Sequence, residues 1–69
     1  MNIEESMKDL IKWKADNDNR WFVISSPSNS QCIFVTMYDP EYSKQSIRTN
    51  DNNMAKAIEE GLSIYRDSL

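Results

Sequence analysis

Residues 20–38, RWFVISSPSNSQCIFVTMY, constrain this chain more than any other stretch. They read as two strands joined by a polar loop. Side chains along a strand point alternately to opposite faces, so a sheet with one wet face alternates apolar with polar residues. Here Trp21 and Val23 share one face while Phe22 and Ile24 share the other. Ile33, Val35 and Met37 likewise oppose Cys32, Phe34 and Tyr38. Both faces of such a sheet need cover, and little chain is left to provide it.

The 69 residues make a single domain, 1–69, with no room for a second core. A chain this short buries only about 60% of its unfolded surface, and small domains compensate with disulfides, a metal or a partner. The single cysteine, Cys32, forms no internal disulfide, and without histidine it builds no structural zinc site. Tight packing or association remains. A lone cysteine fits a reducing compartment, no apolar run is long enough to span a bilayer, and MNIEESMKDL is too acidic and polar for a signal or transit peptide. The expectation is a cytoplasmic protein with no membrane partner. The net charge of −3 argues against simple nucleic-acid binding.

Residues 2–15 read as a helix. Asn2 caps it, Glu5 completes a capping-box spacing, and Ile3, Met7, Leu10 and Ile11 form the expected buried stripe, with Trp13 about 80° off its edge. The turn formers DNDN at 16–19 end it. Strand one covers 20–25 and strand two 31–38, with Cys32 inside the latter. DPEY at 39–42 makes a turn, and 43–49 form a polar third strand at the sheet edge, with Lys44 suiting an exposed margin. A second helix follows, capped by Asp51, Asn52 or Asn53. Its stripe is Met54, Ile58, Gly61, Leu62, Tyr65 and Leu69, and Gly61 is expected to make room for a ring such as Trp21 or Phe34. The fold class is therefore α+β: a three-stranded antiparallel sheet with two flanking helices, in the order α-β-β-β-α.

Signs of catalysis are sparse. Histidine, the usual acid–base residue near neutral pH, is missing, and the only glycine lies in a helix, so no phosphate-cradling loop exists. Cys32 between apolar neighbours reads as a small hydrophobe. Asp39 and Glu41 flank Pro40 as a weak metal candidate, and the acids among 16–19 lack the glycine and the bidentate glutamate of a calcium loop. No enzyme, no cofactor and no metal site is expected.

The element order resembles the double-stranded RNA-binding domain, and MAKAIEEGLSIY is similar to that family's last helix. Where that family opens the helix with a lysine cluster, this chain has Lys56 alone, and SSPSNSQ replaces its histidine-containing loop. The order also resembles small phage-encoded proteins: the ABA-sandwich family, and small acidic anti-CRISPR inhibitors. With the latter the chain shares an opening MNI (Met1, Asn2, Ile3) and a DLI (Asp9, Leu10, Ile11). That resemblance implies an anti-defence protein: a phage or mobile-element inhibitor or regulator of a host protein.

Two coverings satisfy the two-faced sheet. One helix lies on each face, or both share a face and the other docks onto another chain. We favour the second, with Trp13, Trp21, Val23, Ile33, Val35 and Met37 as partner-binding residues and a host protein or a homodimer as partner. Tryptophan is enriched at interface hot spots. The alternative is a nucleic-acid binder using Lys8, Lys12, Lys14, Arg20, Lys44 and Arg48.

Overall fold

A computed structural model describes residues 2–27, 31–41 and 46–68. Five elements follow in the expected order: α1 (Ile3–Ala15), β1 (Trp21–Ser25), β2 (Ile33–Tyr38), β3 (Ile47–Asp51) and α2 (Met54–Asp67). The strands form an antiparallel meander, β1-β2-β3, so β3 is an edge as expected and β1 is the other. Tyr42, Lys44 and the start of the expected third strand, like Leu69, lie outside the described residues.

The caps follow the local chemistry. Asn2 Oδ1 accepts from the Glu5 N–H at 2.9 Å, and Glu4 and Glu5 in the first turn with Lys12 and Lys14 in the last complement the helix dipole. Asn53 caps α2 by accepting from the Lys56 N–H, while Asp51 closes β3 and accepts from the Asn53 N–H. Cys32 sits just before β2 rather than within a strand, and is half-buried.

Both helices lie on one side of the sheet. α2 packs against β2 and β3, and α1 packs against α2. Leu10 and Trp13 of α1 share one cluster with Val35, Met37 and Ile47 of the sheet and Ile58, Leu62 and Tyr65 of α2. The other face is left bare, with Trp21 43% and Val23 50% exposed.

The buried stripe of α1 differs from the expected one. It runs through Ser6, Leu10 and Trp13, leaving Ile3 and Ile11 exposed. Ser6 is small enough for close approach at a fully buried position, and its hydroxyl donates back to the Asn2 carbonyl. Trp13 turns inward because Tyr65 offers its ring an edge-on partner, with centroids 5.6 Å apart at 83°. The α2 stripe is as read from Ile58 to Tyr65, with Ala55 and Ala57 added and Met54 half-buried at its start.

Gly61 clears space for Met37 rather than for an aromatic ring. A Cβ built there would stand 2.8 Å from the Met37 sulfur and 3.7 Å from Thr49 Oγ1. One turn earlier the Thr49 hydroxyl donates to the Ala57 carbonyl at 2.6 Å, drawing β3 and α2 together. The glycine is therefore required by close packing. Gly61→Ala gains about 1 kcal/mol of helix propensity but forces Met37, 1% exposed, to shift. Overpacking costs about 1–3 kcal/mol, so a net loss of about 1 kcal/mol is expected. In urea denaturation, Met37→Val should make Gly61→Ala less costly, a non-additivity expected only if the two side chains collide.

Candidate functional site

The bare face is assembled by register. Trp21 pairs with Tyr38, Val23 with Thr36 and Ser25 with Phe34; Thr36 then pairs with Arg48 and Phe34 with Asn50. Alternation places these eight residues on the outer face and sends Phe22, Ile24, Ile33, Val35, Met37, Ile47 and Thr49 towards the helices. Trp21 stacks on Tyr38 with ring centroids 5.3 Å apart and planes 15° from parallel. Arg48 lies over the Phe34 ring at 4.8 Å, a diagonal cross-strand contact. Among the described residues the face is an aromatic platform with one cation, edged by Val23 and the polar Ser25, Thr36 and Asn50.

The expected patch of Trp21, Val23, Ile33, Val35 and Met37 is thus divided between two faces. Val35 and Met37 are in the core, at 0% and 1% exposure, and Ile33 is half-buried on the same side. Trp13 is also buried. Only Trp21 and Val23 of the six stand on an exposed surface, joined there by Tyr38, Phe34 and Arg48. The reading missed these three through parity: odd residues of β1 align with even residues of β2. One polar marker in each strand carried that signal, namely Ser25, Thr36 and the pair Arg48 and Asn50.

Behind the platform a buried polar cluster holds the start of β1. Arg20 Nε meets Asp39 Oδ2 at 3.0 Å; one guanidinium nitrogen donates to the Trp13 carbonyl and another to the Tyr65 hydroxyl, each at 2.7 Å. The Tyr65 hydroxyl donates to Asp39 Oδ2 at 2.7 Å, and the Glu41 N–H donates to Oδ1 at 2.9 Å. The guanidinium also sits about 5 Å from the Trp13 and Tyr65 ring centroids. Arg20 points inward, so its neighbour Trp21 points out. Asp39 has both oxygens engaged and is no open metal ligand; among the described residues no cluster of candidate ligands forms. Arg20 is equally committed and leaves the basic set of the nucleic-acid reading, while Lys44 lies outside the described residues.

A cleft of about 580 Å³ opens beside this cluster. Acids (Asp9, Asp16, Glu41) and bases (Lys12, Arg66) interleave around it, so it offers no field of one sign. No described helix is long and apolar enough to cross a membrane. No protein-family model, curated protein or solved structure matches the chain.

Burial opposes charge on Asp39, but the Glu41 N–H, the Tyr65 hydroxyl and Arg20 together outweigh it and hold the carboxyl below its ordinary 3.8. Burial, followed by its hydrogen bond to Asp39, pushes the Tyr65 phenol up. A carboxyl depressed in the fold binds its proton more readily once unfolded. Its stabilising contribution is complete above the unfolded value and is lost as the pH falls through the lower folded value. Urea midpoints should therefore drop as the pH is lowered below about 4. Asp39→Asn should cost about 3 kcal/mol at pH 7, because the Arg20 charge is left buried without its counter-charge, and should flatten that acid dependence.

Proposed function

We propose that this chain is a small non-enzymatic protein-binding module that docks a partner protein on the outer face of its sheet. The observation that carries this reading is the bare platform of Trp21, Tyr38, Phe34 and Arg48, which neither helix covers. Tryptophan, tyrosine and arginine are the residue types that dominate interface hot spots, and here they share one face of the sheet. The stacked and cation–π pairs hold the side chains in place before binding, so less rotamer entropy is lost on docking. A platform for single-stranded nucleic acid would combine such rings with a positive groove. Among the described residues this face carries Arg48 alone, on a chain of net charge −3. Its resemblance to small phage-encoded inhibitors favours a host protein as the target and inhibition or regulation as the outcome.

Affinity capture from the source cell, comparing the wild type with face variants, tests the proposal. A protein retained by the wild type and by Lys56→Glu, on the solvent side of α2, should be lost with Trp21→Ala and with Arg48→Glu. Each replaced contact is expected to cost about 2 kcal/mol, or roughly 30-fold in affinity. Thermal melting should show both variants folded. Equal capture by all four proteins, or recovery of nucleic acid whose binding falls steeply with salt, would falsify the reading.

A further inference from the structure

We propose that β1 pairs edge to edge with β1 of a second copy of this chain, antiparallel about a two-fold axis at Val23, to make one six-stranded sheet. Among the described residues β1 is bonded to β2 alone, so its other edge presents unpaired backbone groups. Exposed edges ordinarily carry charge, proline or a bulge that prevents pairing. WFVIS has none of these. The opposite edge, β3, differs: Arg48, Asn50 and Asp51 protect it.

The strand is also complementary to itself. With Val23 on the axis, Phe22 lies opposite the second copy's Ile24 on the helix side, and Trp21 opposite its Ser25 on the outer face. An aromatic side chain opposite a β-branched one is a favourable cross-strand pair. Phe22 and Ile24 are only half-buried although they face the helices, so a neighbouring strand would complete their cover. β1 itself carries no charge, and the flanking Arg20 is folded back onto Asp39, Tyr65 and Trp13. Pro27, which lacks an N–H, ends the pairing two residues beyond Ser25. Closed two-fold symmetry uses up the β1 edges, so growth stops at two copies. An interface of five residues a side falls well below the ~1,600 Å² of a standard stable complex, so the dimer is reversible.

This inference rests on the edge and not on what the outer face binds, although pairing sets the two Trp21–Val23 patches side by side. Light scattering from micromolar to millimolar protein should show the mass double. Val23→Lys and Val23→Glu, both at a half-exposed position, should each stay folded and monomeric, because like charges then meet on the axis. An equimolar mixture of the two should regain the doubled mass. In the wild type, amide exchange in β1 should slow as concentration rises. Arg48→Glu, which probes the outer face, should leave the dimer unchanged. A wild type that stays monomeric, even where an extended peptide of another protein protects β1, overturns the proposal. So does a dimer that survives Val23→Lys, a mixture that fails to reassociate, or a dimer whose β1 amides gain no protection.

Discussion

The carboxylate of Asp39 ties the molecule together. Its oxygens receive Arg20 from the start of β1, Tyr65 from α2 and the Glu41 backbone beyond β2, and through Arg20 they reach the last turn of α1 at the Trp13 carbonyl. Asp39 is 2% exposed at its side chain and Arg20 13%, so neither charge would persist there alone. Desolvating such a pair is costly, and the net gain over an apolar contact is small. What the pair supplies is direction. Three donors and one carboxylate are compatible with few arrangements, and this one sets α1 against α2 on a single side of the sheet.

That one-sidedness underlies the proposed function. A three-stranded sheet covered on one face has to end its other face in water or on a partner. The outer face reduces the cost by covering itself: Trp21 lies on Tyr38, and the Arg48 guanidinium lies over Phe34. A surface arranged in this way persists in a monomer and still offers large rings to a docking protein. Meanwhile the inner face is packed closely, with Gly61 against Met37 and the Thr49 hydroxyl on the Ala57 carbonyl. Rigidity behind the platform and exposure on it arise from the same asymmetry.

The α2 stripe was legible because Ile58, Gly61, Leu62 and Tyr65 keep the helical spacing and are all buried. The α1 stripe was legible only in part: Leu10 is buried and Met7 packs beside the core, whereas Ile3 and Ile11 are exposed. Hydropathy also points to Ile3 and Ile11, whereas packing selected Ser6 for its size and Trp13 for its edge-on contact with Tyr65. Neither property registers on a scale of apolarity. The strands show the same limit in another form. Each was recognisable, yet which face of β1 aligns with which face of β2 depends on register, and a slip of one residue exchanges the faces.

By itself the sequence determined the element order, the three-stranded antiparallel sheet and the Asn2 start of α1, and it narrowed the start of α2 to three candidate caps, because these rest on periodicity, turn formers and caps within a few residues of one another. It also determined that the sheet would be apolar enough on both sides to need explanation. Only the tertiary structure decided that the helices share one side, that Arg20 is a buried tie rather than a surface cation, and that Trp21 stands beside Tyr38 while Val35 and Met37 turn inward. Those outcomes depend on contacts between residues far apart in the chain, as between Arg20 and Tyr65. They are settled by which side chains fit and which charges find partners; Ser25, Thr36, Arg48 and Asn50 mark the outer parity locally, but nothing local marks the side the helices take or the Arg20 tie.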